Sequence, residues 1–478
     1  ELAGGIAFMD KDSTLEVYRE LNGEIVNQGK VWLEQGRYEI VVDELTGYIL
    51  VELRDQYGET ISLAELDLYS WEQIPYASNK IEGVHFLLRP LDRGINFELQ
   101  SARSYKDHVL QVEGAKVVID DLSRKLTKID KKRYQDKEIH KTSNVWIRAA
   151  KQKHRETLAP LTAYGLSQLQ MFPEAYMQTL AADLGLELDT QKGWIFGKVS
   201  GQQGPLKNVV IEVAGLNKNY QGIYFNTVSE LVYWPDKKLE KTSDNGMFLL
   251  PELAPGTYAI RIRLGNKFLP AEIIKVEANA VTYLDLSYTE MKSASINIHD
   301  RAYGVNYLGA QLRIYGDDKE LFITGSYKDQ IRYPSGLGTM TFEVDPGEDY
   351  YLSKTQFNRN VRSLHIPVVS QKWLNEILSQ QEIEYDASQG AIVGYIDGDN
   401  FDIMLSGDEG EEVKVIYFDQ KGQVTNKASG SKGGGFIIVN LSEGIKSLAI
   451  LPENKNSILM KTLTLEQGYI NTFESTLQ

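Results

Sequence analysis

The stretch Thr242 to Ile260 reads TSDNGMFLLPELAPGTYAI, and it decides how the chain is built. A polar turn leads into an apolar run, a Pro-Gly corner follows, and an alternating strand leaves the corner. Asn245-Gly246 supplies a tight turn at positive φ, and Phe248 and Leu250 are expected in a core. Beyond the corner Tyr258, Ile260, Ile262 and Leu264 share one face, while Arg261 and Arg263 take the other. The pattern is that of a chain crossing from one sheet of a β-sandwich to the other.

The device recurs near the C-terminus. SDNGMFLLPELAPG (Ser243 to Gly256) lies over SKGGGFIIVNLSEG (Ser431 to Gly444) at an offset of 188, with Gly246, Phe248, Leu253 and Gly256 over Gly434, Phe436, Leu441 and Gly444. Upstream, Ala175 to Gly201 lies over Lys372 to Gly398 without a gap at an offset of 197. Each copy opens with apolar residues at i, i+1, i+4 and i+5, one face of a short helix that starts at Pro173 or Ser370. A D-x-x-x-G turn follows (Asp189 to Gly193, Asp386 to Gly390), and then a strand. The change of offset places a loop nine residues shorter in the second copy, as loops vary between copies of one module.

The remaining sequence also reads as β. Residues 35–61 give two alternating runs with glycine turns, and Gly36-Arg37-Tyr38-Glu39-Ile40 repeats the local pattern of Gly256 to Ile260. TMTFEVDPGEDYYLS (Thr339 to Ser353) adds a second Pro-Gly corner. Forty Gly, 27 Tyr and 15 Phe in 478 residues suit turns and half-buried pleated surfaces, and the length requires more than one core.

The module is similar to the carboxypeptidase regulatory-like domain, a transthyretin-like sandwich. The residues that carry the resemblance are GWIFGKV (Gly193 to Val199), GPLKNVVIEVAG (Gly204 to Gly215) and TSDNGMFLLPELAPGTYAIRIR (Thr242 to Arg263). The copy at 390–478 departs from it, with Ser442-Glu443-Gly444 at the corner and Lys446 in place of Tyr258. The resemblance implies a bacterial extracytoplasmic protein, periplasmic, outer-membrane-associated or secreted. Such domains accompany metallocarboxypeptidases, outer-membrane receptors and surface arrays, so fold alone does not give function.

The fold class expected is all-β and multi-domain: tandem Ig-like or transthyretin-like β-sandwiches with short connecting helices. The divisions expected are an N-terminal β-domain at 1–70, a β-domain with a basic loop at 71–170 and a helix at 171–189. A regulatory-like sandwich at 190–290, a β-domain at 291–370, a helix at 371–388 and a divergent second sandwich at 389–478 complete the chain.

Composition excludes several function classes. A formal net charge of -15 disfavours a nucleic-acid partner, and no apolar run is long enough to span a bilayer as a helix. Zero cysteines removes thiolate catalysis and Cys-ligated zinc while leaving the compartment open. The chain starts at Glu1, which reads as a processed precursor or a trimmed chain. The one basic stretch, Lys116 to Arg155, reads as a solvated loop, with an acidic polysaccharide or lipid head group as the alternative contact.

No catalytic constellation emerges. His85, His108, His140, His154, His299 and His365 are dispersed, and H-E-x-x-H, G-x-S-x-G and P-loop patterns are missing. Gly430 to Gly435 aligns with the sandwich turn and has no following helix to make a phosphate cradle. Asp397, Asp399 and Asp402 have oxygen ligands at a spacing Ca²⁺ accepts, but a β-turn explains them equally and the EF-hand pattern is incomplete. Tyr220, Tyr224, Tyr233 and Trp234 are candidates for a surface that stacks on sugar or peptide, against a role in filling the sandwich edge. No cofactor is expected beyond that Ca²⁺ candidate.

The function expected is a non-catalytic extracytoplasmic binding or structural protein that presents sandwich loops to a protein or polysaccharide at the cell surface. The alternatives are a glycan- or peptide-hydrolysing enzyme with a site in 71–170 or 291–370, and an accessory subunit of an outer-membrane assembly.

Overall fold

The computed structural model describes residues 95–478 except for short stretches, the longest being 103–111, 215–221 and 407–412, and describes residues 1–94 as strand backbones alone. The chain forms two compact units, Glu1–Asp92 and Arg93–Gln478. Strands dominate, and the helices among the described residues are α1 (Glu174–Leu184) and α2 (Gln371–Gln380).

One seven-strand sandwich occurs three times. In the second unit its first copy runs Ile95–Ser101, Lys116–Ile119, Arg124–Lys125, Arg133–Asp136, Asn144–Ala150, His154–Thr162 and Leu166–Pro173, with Thr127–Lys128 as an extra short strand. Its second copy runs Met291–His299, Ala310–Ile314, Glu320–Ile323, Gln330–Pro334, Thr339–Asp345, Ser353–Asn358 and Ser363–Pro367. In both, the first strand lies between the fourth, antiparallel, and the seventh, parallel, while the other strands form a sheet in the order third, second, fifth, sixth. The first unit has the same plan. Leu2–Gly5 pairs antiparallel with Arg37–Ile40 and parallel with Ile81–Glu82, and the strands Glu24–Val31, Thr14–Leu21, Tyr48–Arg54 and Thr60–Asp67 follow in that order.

The module occurs twice, each time directly after a helix. In the first copy Ala280–Ser287, Gly193–Gly201, Met247–Leu253 and Ile223–Ser229 form one sheet, with Val232–Asp236 at its edge, and Val209–Ala214, Gly256–Leu264 and Lys267–Val276 form the other. In the second, Ile470–Thr476, Gly390–Asp397, Gly435–Leu441 and Ile416–Phe418 face Phe401–Ser406, Gly444–Pro452 and Leu459–Leu465. The quoted stretch is therefore a sandwich corner: Met247–Leu253 lies in one sheet and Gly256–Leu264 in the other. Phe248, Leu250, Ile260 and Ile262 are fully buried between them, whereas Leu264, expected on the same face, is exposed at the strand end.

Each helix covers the outer face of its module's larger sheet, so it is a third layer and not only a connector. The apolar face of α1 (Tyr176, Met177, Leu180) packs with Trp194 and Phe196, and that of α2 (Trp373, Leu374, Ile377) with Val393 and Tyr395. Ser370 caps α2 through its hydroxyl, Pro173 opens α1 without a side-chain bond, and Gly185 closes α1 in the left-handed region at φ 64°. The D-x-x-x-G turn is an Asx turn in both copies, with Asp189 and Asp386 accepting from the N–H two residues on.

The repeated glycine in the first module strand has a packing reason. A Cβ on Gly197 would stand 2.1 Å from the Phe248 ring, and one on Gly394 would stand 2.3 Å from the ring of Phe436. The glycine and the phenylalanine repeat together because each fills the other's space. Replacing Gly197 with Ala is expected to destabilise the chain by about 1–3 kcal/mol, the usual range for overpacking a core. Denaturant unfolding of the variant against the parent measures it, and an unchanged midpoint would show that the strands yield.

Candidate functional site

Four sandwiches of the second unit join in a closed order. The sixth strand of the first sandwich pairs in parallel with the last strand of the first module, Glu156–Leu158 against Ala280–Thr282. The second sandwich and second module make the same junction, Ser353 and Lys354 against Ile470 and Asn471. A sandwich, a helix and a module thus form one repeat, present at 95–288 and again at 291–476.

The two repeats also meet twice, through equivalent strands. Between the first module and the second sandwich, Glu272 accepts from the backbone N–H of Thr339 at 3.2 Å and pairs with Arg359 at 3.2 Å. The Arg359 guanidinium lies over the Tyr288 ring. Between the second module and the first sandwich, Asn144 accepts from the N–H of Thr462 at 3.2 Å and donates to its carbonyl at 3.1 Å, and Ile139 bridges Ile458 in parallel. By strand register Asn144 and Thr339 hold the same place in their sandwiches, and Lys461 holds the place of Glu272.

A cleft opens where these contacts converge, with about 750 Å³ of space free of protein atoms, open solvent included. Asn144, Glu272, Asp285, Thr339, Gln356 and Thr462 give it a polar lining drawn from all four sandwiches. Most of these groups serve each other. Asn144 donates to Gln356 at 2.8 Å, and Gln356 donates to the Thr339 hydroxyl at 3.0 Å. Burial pushes the Glu272 carboxyl up, against the pull of Arg359 and the bonds from Thr339. Burial likewise raises Asp285, with Lys198 opposing it, and lowers the ammonium of the half-buried Lys461 to about 8. The cleft holds charge expensively, and among the described residues no cluster of His, Asp and Glu is arranged to hold a metal ion.

Asp285 and Glu474 occupy one position in the two modules and have opposite environments. Burial alone would raise Glu474, but the hydrogen bond from His299 at 3.2 Å, the charges of His299 and His365, and Arg301 at 2.6 Å hold it below the usual carboxylate range. Arg301 also pairs with Asp397 and donates to the Gly433 carbonyl at 3.1 Å, tying the second sandwich to the second module.

Of the residues expected to bind ligand, Asp397 lies in that ion pair, Asp402 is exposed on Phe401–Ser406, and Asp399 lies outside the described residues. Tyr224 is buried, its hydroxyl accepting from the Ile211 N–H at 3.0 Å. Trp234 donates to Asp183 of α1 at 3.0 Å and meets Tyr176 edge-on, and Tyr233 packs half-buried against the same cluster. Tyr220 lies outside the described residues. Trp234 has a counterpart in function: Trp373 of α2 donates to the Gly422 carbonyl at 2.9 Å, so a tryptophan pins each helix to its module.

The exposed aromatics lie elsewhere. Tyr303 and Tyr307 stand on the turn after Met291–His299, 49% and 43% exposed, and Phe322 is 73% exposed on the edge strand Glu320–Ile323. Tyr307 has φ 60°, a left-handed conformation that bulky residues avoid, and its N–H is held by Asn297. The sequence marks the turn with Tyr303-Gly304 and Tyr307-Leu308-Gly309, yet aromatics recur so widely in this chain that the pattern does not single it out. The basic stretch places Lys125 and Lys128 exposed on short strands of the first sandwich.

No family model matches the chain, that of the carboxypeptidase regulatory-like domain included, and no curated protein matches it. Among solved structures it is similar to the TIE protein of Bacillus anthracis, at 13% identity over 79% of this chain and 73% of that one, with a TM-score of 0.15. A streptococcal ancillary pilin is similar at 11% identity over 58% of this chain and 98% of its own, with a TM-score of 0.17. The minor pilin of Streptococcus agalactiae is similar at 11% identity over 41% and 95%, with a TM-score of 0.15. Scores this low carry no weight for fold or function.

The contrast between the modules predicts opposite pH behaviour. Asp285 is raised in the folded chain, so its ionised form weakens the fold above the folded pKa, and Asp285→Asn is expected to stabilise at pH 7 with the gain fading as pH falls. Glu474 is lowered, so it stabilises above its unfolded pKa and loses that contribution as pH falls through the folded value. Glu474→Gln is expected to cost about 1–3 kcal/mol at pH 7, the range for a charged hydrogen bond. Unfolding midpoints between pH 3 and pH 8 distinguish the two, and the same sign for both would contradict the assignment.

Proposed function

We propose that this is a non-catalytic structural or binding protein of the bacterial cell exterior, which holds sandwich-end loops in fixed positions for a protein or polysaccharide partner. The observation that carries the reading is that sandwiches are joined by strand pairing into continuous sheets. Paired backbones resist relative movement in a way that flexible linkers do not. The polar groups at the repeat contacts support it too, since Asn144, Gln356, Thr339 and Glu272 are engaged with one another and not aimed at a free reacting centre. The two modules are read as regulatory-like, transthyretin-like sandwiches, and the cell surface, the periplasm or an outer-membrane assembly remains the proposed setting.

The surface proposed for the partner is the turn carrying Tyr303 and Tyr307. Exposed aromatic faces beside a strained backbone suit stacking on a sugar ring or a peptide side chain. A hydrolase is the second reading, favoured by the cleft and by the raised carboxyls of Glu272 and Asp285. Against it stand the engagement of Glu272 with Arg359 and the lack of a nucleophile beside a base.

One experiment separates the readings. The full chain and a Tyr303→Ala, Tyr307→Ala variant are incubated with bacterial cells, peptidoglycan and exopolysaccharide, and both bound protein and released fragments are measured. Retention that falls at least tenfold in the variant, with no fragments released, is the expected result. No retention on any of the three contradicts the binding role, and fragment release abolished by Asp285→Asn moves the assignment to the hydrolase.

A further inference from the structure

The contact between the two repeats has a property that its position inside one chain conceals. Each repeat offers two surfaces, the fifth-strand side of its sandwich and a module edge, and each uses both. Thr339 meets Glu272 in one direction, and Asn144 meets Thr462 in the other. A contact that closes after two equivalent steps is the geometry of a two-fold dimer. The repeats are joined only by residues 288–290, between Ala280–Ser287 and Met291–His299. Nothing in the contact itself requires both repeats to come from the same chain.

The contact also selects its partner. In the second module Lys461 takes the place of Glu272, so two second repeats brought together would set Lys461 against Arg359. Like charges facing each other in a half-buried contact are strongly unfavourable. A first repeat meeting a second repeat restores Glu272 with Arg359 and Asn144 with Thr462, whichever chain supplies each.

We propose that the inter-repeat surface is also a self-association surface. The second repeat of one copy docks on the first repeat of another, and the exchange is reciprocal, so that two chains build two complete rings. Opening the connection at 288–290 is the only change the exchange demands within each chain, and a short connection between equivalent units favours such swapping. Within one chain the partner's effective concentration is of the millimolar order, so exchange needs crowded chains that close while still unpaired.

The sequence has no cysteine, which makes the test direct. Ile139→Cys and Ile458→Cys are placed together in the full chain, at bridge partners whose spacing suits a disulfide. The protein is unfolded, refolded at two concentrations about a hundredfold apart, oxidised, and run on a denaturing gel without reductant. Disulfide-closed monomer is expected at the low concentration and a several-fold rise in covalent dimer at the high one. Disulfide-closed monomer at both concentrations overturns the proposal, as does a dimer by light scattering that the gel resolves into closed monomers.

Where the cysteine variant does not fold, two differently tagged unmodified chains are refolded together and captured through one tag. Co-capture that requires joint refolding supports exchange. Co-capture that is absent, or is equal when the folded chains are simply mixed, overturns it.

Discussion

The rest of the second unit depends on the parallel pairing between the sixth strand of each sandwich and the last strand of the module that follows it. This pairing occupies two strand edges at once, and open edges are what invite unwanted strand addition. It also fixes the angle between sandwich and module, since the module's last strand pairs on its other side with the module's first. Register then determines everything beyond it, because a slip of one residue would turn each buried face outward. In the first unit the corresponding sixth strand takes a different neighbour. Arg89–Pro90 pairs with it in the antiparallel sense at Ser62 and Leu63, so the chain leading onward covers part of the edge that a module covers elsewhere.

The two repeats solve the same junction with different chemistry. At the sandwich-to-module pairing, the first repeat has Leu158 fully buried among apolar side chains, while the second has Lys354 at the matching register position. Lys354 is buried between the Tyr315 and Tyr469 rings and pairs with Glu343 at 3.2 Å and Glu466 at 2.5 Å. A buried ion pair and an apolar contact of similar volume stabilise comparably, and the ionic version is costly only when one partner is removed. The Arg301 and Glu474 pairing in the second repeat, against Asp285 beside Lys198 in the first, is another case of one place filled in two ways. Duplicated units drift where the physics permits alternatives and hold where it does not, as at Gly197 with Phe248 and Gly394 with Phe436.

Local features of the sequence were sufficient for the module. Its helix, Asx turn and corner each depend on neighbours in the chain, and the α2 start at Ser370 and the Asp189 turn follow from capping and turn chemistry alone. The three sandwiches were harder to see as copies. Their strands share an alternating pattern that any half-buried strand has, and traces such as SLAEL at 62–66 over TLAPL at 157–161 are too short to stand out. Closure of the repeats depends on contacts between residues more than 300 positions apart, such as Asn144 and Thr462, which no local pattern encodes. The same reason explains Trp234, whose indole reads as a free stacking surface in sequence and whose partner, Asp183, lies 51 residues away.

The central claim is that residues 93–478 form one closed body and not a string of sandwiches. Small-angle X-ray scattering from that part of the chain measures it most directly. A compact body of this length has a radius of gyration of about 21 Å by the usual scaling for folded chains. A value near that, with a single-peaked distance distribution, is the result the closure predicts. A clearly larger value, with a distribution trailing to long distances and separate maxima for successive sandwiches, would contradict it.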